Sequence, residues 1–422
     1  MPALDHVSPD VRSSRRSRPF GQAGRSLLCL VLLAGCAGQR STQRSAARES
    51  VLAGTPLIDG HVDLLIHFIA GDGKSFSPID AYDIGRRSAG QVDLPRLRAG
   101  GVSAGIFTVG GPDEANAEAG LRESVVLMRA LAARHPDALE VVTDSAGLTR
   151  AVTAGRIAAL LGLEGGDQLG GSLDRLRAAF QQGVRAVTLT WERTNALGDS
   201  NADTARFDGL SPFGEEVVRE MNRLGMLVDL SHAADSTAFD VLELSKAPVI
   251  LSHSSARALC PAPRNASDEL LRRVARNGGV VMVTFVPYFT TPAYWAWYER
   301  GEEHWKALQA RHGADKDAVA RDMARWDEEN PAPTVTVQDV ADHVDHVRRV
   351  AGADHVGLGS DFDGMDAFRI KGLEDAATFP ALLAELVRRG WTGPELRKLA
   401  GENFLRVLRA VEGAREPPAL LH

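Results

Sequence analysis

Twelve histidines and 55 acidic residues are spread over 422 positions, and a few fall in pairs whose spacing can do chemistry. His61 and Asp63, in "DGHVDLL", are two apart. Side chains two apart on a strand face the same way, so both can reach one metal ion. Glu164 closes the run "LLGLE", Asp229-Leu230-Ser231-His232 closes another, and Ser252-His253 a third. Asp361 follows "VGLGS". Singly, each has a plain structural reading: a lone histidine at a strand end is usually a hydrogen-bonded packing residue, and Glu164 could simply face the start of a helix. Jointly, five segments would bring imidazoles and carboxylates to one place, which is the make-up of a metal site.

Three imidazoles and at least two carboxylates exceed one tetrahedral site. Two ions sharing one carboxylate would use them all. Mixed nitrogen and oxygen donors suit Zn²⁺, and also Mn²⁺ or Fe²⁺; the lack of thiolates speaks against a structural zinc. Two such ions hold a bridging hydroxide at neutral pH and polarise a carbonyl, chemistry that hydrolyses an amide or an ester. His343 and His346, in "VADHVDHVRRV", fall on a helical pattern and read as packing residues.

The elements that must position these groups alternate. Short β-rich runs at 57–63, 101–109, 158–163, 186–190, 226–230, 249–252, 280–285 and 355–359 are separated by amphipathic stretches such as "SLDRLRAAFQQG" and "FGEEVVREMNRLG". Both end in glycine, as helices often do. Eight strands with helices between them predict an α/β fold, a (β/α)₈ TIM-type barrel. Its strand C-terminal ends would carry His61, Asp63, Glu164, His232, His253 and Asp361. An open doubly wound sheet is the alternative, but no glycine-rich dinucleotide loop follows the first strand. Residues 286–335 are long, helical and Trp-rich, and predict a helical insertion between the seventh and eighth strands, over the mouth. Its tryptophans read as packing.

Composition excludes other classes. The chain is 44% hydrophobic and 24% charged, so a wholly disordered chain is ruled out. A formal net charge of −7 offers no footprint for nucleic acid. Three cysteines, Cys29, Cys36 and Cys260, cannot form a disulfide framework. Five arginines between residues 12 and 25 precede the nine-residue run "LLCLVLLAG", too short to span a bilayer. Residues 1–35 therefore read as a secretory signal. Its end, Leu33-Ala34-Gly35-Cys36, resembles the lipobox of bacterial lipoproteins, in which the cysteine is acylated. Removal of 1–35 takes five Arg and two Asp, a net +3, leaving −10. Residues 36–55 read as a flexible tether and 56–422 as one hydrolase barrel domain. The expected location is a bacterial membrane, reached through a lipid on Cys36. The absence of Asp after Cys36 favours the outer membrane, facing the periplasm.

The motifs together resemble one family, the membrane (renal) dipeptidases, zinc metallopeptidases of the amidohydrolase-like barrels. The matching stretches are "LIDGHVDLL", "LLGLEGGDQLG", "GVRAVTLT", "VDLSHAADST", "VILSHSSARALCPAPRNASDELL", "VADHVDHVRRVAGADHVGLGSDFDG" and "LAGENFLRVL", in order from residue 57 to 408. The resemblance implies a zinc-dependent dipeptidase with two Zn²⁺ ions and a small dipeptide substrate, and a homodimer. It implies that His61 and Asp63 bind one zinc, His232 and His253 the other, and Glu164 both. It also implies that Arg264, in "PAPRN", holds the substrate's carboxylate, as a guanidinium fork can, and that Asp361 is the general base. Asp363, two residues on, would share its face on a strand, but the chain is expected to turn there. Trp191 stands where the family's animal members carry a histidine, and would line the substrate pocket; Asn195 and Asp199 lie in the same loop. The rival readings are another binuclear-metal amidohydrolase, a lactonase or deaminase, and a non-catalytic ligand-binding surface lipoprotein.

Overall fold

The computed structural model describes residues 54–111, 117–365 and 368–416. Cys36, the signal segment and the tether up to residue 53 lie outside the described residues. Nine strands form one parallel sheet: β1 (Leu57–Val62), β2 (Val102–Val109), β3 (Leu139–Val142), β4 (Ile157–Glu164), β5 (Val184–Thr188), β6 (Leu227–Asp229), β7 (Ile250–Leu251), β8 (Val280–Val283) and β9 (Val356–Leu358). β2 pairs with β4 and β9 with β1, so eight of them close into a barrel. The ninth, β3, pairs along the first half of β4, on the edge whose second half β5 takes. It is a short extension below the ring and was not among the eight expected strands.

Period-two alternation builds the interior. Ile58, Ala104, Ile106, Ala158, Leu160, Ala186, Leu227, Ile250, Val280 and Met282 form one buried cluster with Phe404, Val407 and Leu408 of the last helix, Asn403–Gly413. That helix plugs the N-terminal end of the barrel with apolar side chains. Polar groups are left to the other end, where barrel enzymes keep their chemistry. Gly60 faces the crowded interior, where a Cβ would strike the Ser252 carbonyl and Met282. The pairing of β1 with β2 shifts register between Asp59 and Val62. His61 sits in this bulge, a device that re-aims side chains at barrel rims.

The helices end where glycine was read to stop them. Gly183 (φ 104°) follows Leu173–Gln181, and Gly225 (φ 74°) closes Pro212–Leu224. The insertion lies between β8 and β9, the last two barrel strands. It is two helices, Pro292–His312 and Lys316–Glu329, broken at Gly313. Its tryptophans pack: Trp297 and Trp305 are buried, Trp297 meets Trp326, and the Trp297 indole donates to the Asn330 carbonyl at 2.7 Å.

Candidate functional site

The C-terminal mouth of the barrel gathers three of the predicted imidazoles around one oxygen of a predicted carboxylate. Glu164, last residue of β4, places Oε1 3.5 Å from His61 Nε2, 3.2 Å from His232 Nε2 and 3.4 Å from His253 Nε2. Asp63 Oδ2 lies 3.4 Å from His61 Nε2 on the far side. The His61 and His253 rings are 3.8 Å apart at their centroids, and the Nε2 atoms of His232 and His253 are 3.1 Å apart. Two overlapping groups can each grip a cation: His61, Glu164 and His253, and His61, Asp63 and Asp361. Asp361 thus stands within reach of the His61–Asp63 pair.

The backbone takes uncommon conformations to achieve this. β6 stops at Asp229, and His232, three residues on, has φ 66°. Asp361 has φ 64° and donates its backbone N–H to the His61 carbonyl at 3.2 Å. Left-handed non-glycine residues are rare and collect at functional sites. Gly364 lets the carboxylates of Asp63 and Asp361 share the space beside it; any Cβ there would strike both.

The electrostatics of the side chains suit a cation. Burial first, with Arg264 second, pushes His232 down to about 4. Burial first, then His61 and Arg264, pushes His253 well below the usual range. Both are thus neutral imidazoles with a lone pair to give. Burial works against charge on His61, but Asp63 and Glu164 outweigh it and hold its pKa well above the ordinary value. Burial also disfavours charge on Glu164, yet His61, His232 and His253 hold it well below the usual carboxylate range. For Asp361, burial first and the charges of Asp63 and Glu164 push it up to about 8, against the pull of His61 and Arg264. Three nitrogen donors and a set of crowded carboxylates ask for the positive charge that one or two divalent ions bring.

Arg264 is 7% exposed, in the loop after β7. It donates from Nη1 to Ser254 Oγ at 2.6 Å and from Nη2 to the His253 carbonyl at 2.7 Å, while its buried Nε has no protein acceptor among the described residues. Burial pushes its pKa down, and Asp361 and Glu164 hold the charge in place. Phe289 lies under the guanidinium at 5.8 Å, and the neighbouring Tyr288 stacks on Tyr298 of the insertion. The insertion therefore flanks this arginine. A buried cation with a free donor, beside the mouth, can hold an anion.

Trp191 follows the buried Thr190 beyond β5, and its Cβ lies 3.5 Å from where a Cβ on Gly165 would stand, next to Glu164. Asn195 and Asp199 serve the loop itself. The Asn195 side chain bonds to Leu189 and Leu197, and the Asp199 carboxylate accepts from the N–H groups of Arg206, Phe207 and Gly209. Asp363 (φ 72°) turns away from Asp361, accepts from the N–H of Gln91 and Val92 and lies 2.9 Å from His67 Nε2.

Further residues brace the site, among them His343, which the sequence reading took as structural. His343 accepts from the Ala256 N–H at Nδ1 (3.0 Å) and donates from Nε2 to the Thr290 carbonyl (2.8 Å). It pins the Arg264 loop to the start of the insertion. Asp59 and Asp229 sit beneath the histidines; the signal was their place two and three residues before His61 and His232.

Known proteins resemble this chain over most of its length. The family model described as membrane dipeptidase (peptidase family M19) matches residues 45–420. Dipeptidase 3 of Rattus norvegicus is 36% identical over 380 residues, 87% of this chain and 68% of the relative. Among solved structures, the probable dipeptidase PvdM of Pseudomonas aeruginosa superposes with a TM-score of 0.75 at 22% identity, over 88% of this chain and 99% of that one. A metallopeptidase of Rhodobacter sphaeroides, solved with a phosphinate mimic of the dipeptide L-Ala-D-Ala, gives 0.65 at 24%, over 85% and 99%. The two structural likenesses establish the fold.

Proposed function

The chain belongs to the membrane dipeptidase family, and on that premise we propose that this dipeptidase works through two Zn²⁺ ions held by His61, Asp63, Glu164, His232 and His253. The observation that carries the proposal is the convergence of three imidazole Nε2 atoms on a single oxygen of Glu164. Such a pair of ions supplies a hydroxide nucleophile at neutral pH and polarises the scissile carbonyl.

The chain's own residues do the rest. Arg264 takes the carboxylate of the dipeptide through its free donors and fixes how far the peptide bond lies from the centre. A ligand carboxylate there also offsets the burial of the guanidinium. Asp361 accepts the proton of the attacking water and returns it to the leaving amine nitrogen. Cations held beside it by His61, Asp63 and Glu164 would favour its ionised carboxylate, the form that accepts a proton. Trp191 walls the pocket beside Glu164. The L-Ala-D-Ala mimic held by the Rhodobacter sphaeroides protein supports dipeptides, including those with a D second residue, as substrates here.

The test is hydrolysis of a panel of dipeptides with L and D second residues, by protein loaded with zinc and by protein stripped with a chelator. Zinc-dependent release of both amino acids is the expected result; equal rates in the two preparations would refute the proposal. Cys36 is proposed to carry a lipid that holds the protein to a membrane, on the strength of the run "LLCLVLLAGC". Among the described residues no helix is long and apolar enough to cross a membrane. Pairing of two copies rests on the family resemblance alone and is tested by sedimentation.

A further inference from the structure

Two aspartates with no part in that mechanism sit in matching brackets on opposite sides of the barrel. β1 and β6 are four strands apart in the ring of eight. On β1, Asp59 accepts from Ser360 Oγ (2.5 Å), from the Ser360 N–H (2.7 Å) and from the His61 N–H (3.3 Å). On β6, Asp229 accepts from Ser252 Oγ (2.5 Å), from the Ser252 N–H (2.9 Å) and from the Ser231 N–H (3.0 Å). Thr188 Oγ1 adds a fourth bond to Asp229 at 2.7 Å. In each bracket the aspartate reaches across to the serine that precedes a site residue, Asp361 in one case and His253 in the other.

The brackets differ in one respect. The Asp59 bracket touches the backbone of His61, whereas the Asp229 bracket reaches an imidazole ring. Ser252 Oγ lies 2.7 Å from His253 Nδ1. A carboxylate only accepts, so the one hydroxyl proton of Ser252 is directed at Asp229. The serine oxygen is then left to accept from His253, which must carry its proton on Nδ1. Its Nε2 lone pair is thereby turned toward Glu164 and His232.

We propose that Asp229, acting through Ser252, is a positioning residue that fixes the tautomer and ring orientation of His253 and so sets the affinity of the second cation site. The inference rests on the metal-centre reading above. Partners one bond removed from a ligand commonly control its affinity in this way. Thr188 and the two backbone N–H groups hold the Asp229 carboxylate still, so the orientation is passed on from the strands themselves.

Zinc titration of the full chain against a chromophoric chelator tests it, with the melting temperature of each zinc-free variant measured alongside. Ser252→Ala and Asp229→Asn are expected to weaken one of two zinc equivalents by about 10- to 100-fold. The other equivalent and the zinc-free melting temperature should stay near wild type, and Ser252→Thr, which keeps the hydroxyl, should restore the affinity. Two results overturn the inference while leaving the metal centre intact: wild-type affinity at both sites in Ser252→Ala and Asp229→Asn, or loss of both equivalents together with a collapsed melting temperature in both. A wild-type chain that binds no zinc overturns this inference and the metal-centre reading together.

Discussion

The guanidinium of Arg264 donates to the backbone carbonyl of His253 at 2.7 Å, so the proposed carboxylate anchor and a proposed metal ligand are joined by one hydrogen bond. A dipeptide bound at this arginine would have its peptide bond set at a fixed distance from the centre. A peptide extended at its C-terminal end would need its chain to pass through the anchor. Exclusion of such peptides then follows from the geometry of the loop after β7.

Arg264→Lys tests that arrangement. Lysine keeps the charge but loses the planar fork. Hydrogen bonds to a charged group contribute about 1.5–3 kcal/mol each, so kcat/KM for a dipeptide should fall about 100-fold, ~3 kcal/mol, mainly through KM. A dipeptide amide, which has no carboxylate, should be a poor substrate for the wild type and indifferent to the change. Equal losses on both substrates would remove Arg264 from the carboxylate role.

Trp191→His addresses the departure from the animal members. An indole donates one hydrogen bond and carries no charge, whereas an imidazolium can stabilise a developing oxyanion. The variant should raise kcat on small dipeptides by up to about tenfold, ~1.4 kcal/mol, with KM moving less. It should also change the ratio of rates for D and L second residues. Steady-state kinetics unchanged in both respects would place Trp191 outside the pocket.

His343 gives a pH dependence of stability with a definite sign. Burial pushes it from 6.5 down to about 4, against the pull of its bond to the Thr290 carbonyl. The unfolded chain takes up the proton below about 6.5 and the folded chain only below about 4. Its contribution to stability is therefore complete above 6.5 and is lost as the pH falls toward 4, by about 3 kcal/mol in all. Urea unfolding at pH 7.5 and pH 5 measures it. His343→Gln should be less stable at pH 7.5 yet lose less between the two values; an unaltered loss would contradict the assignment.

Cys36→Ser separates anchored from free protein. Fractionation of cells making the wild type should place the dipeptidase with the membranes, and the variant should appear in the soluble exported fraction with its zinc-dependent activity retained. A variant still bound to membranes would remove the lipid from the account.

Much of this was legible before any coordinates, and the reasons can be seen residue by residue. The eight barrel strands announced themselves because each is an apolar run bounded by turns. β3 did not, since Leu139–Val142 is four residues long and pairs only with half of β4. His61 and Asp63 were readable from their spacing. The approach of His232 was not, because it depends on a left-handed residue after the strand has ended. Asp363 lies two residues from Asp361 in the sequence, yet it turns to hold Gln91 and Val92. His343 was read as packing on a helix, and it does pack, but the loop it holds carries Arg264. Asp229 was seen at the end of its run but given no role, and Asp59 escaped, because carboxylates that bond to hydroxyls and backbone leave no periodic trace.

The central claim is that five side chains at the ends of four strands hold two cations, with Glu164 shared between them. A crystal of the zinc-loaded protein, with anomalous scattering recorded on both sides of the zinc edge, measures this directly. The account predicts two peaks about 3.5–4 Å apart. One would lie beside His61 and Asp63 and the other beside His232 and His253, with Glu164 reaching both and neither peak at full strength in Glu164→Gln. A map with no zinc peak between His61 and His253 would contradict it.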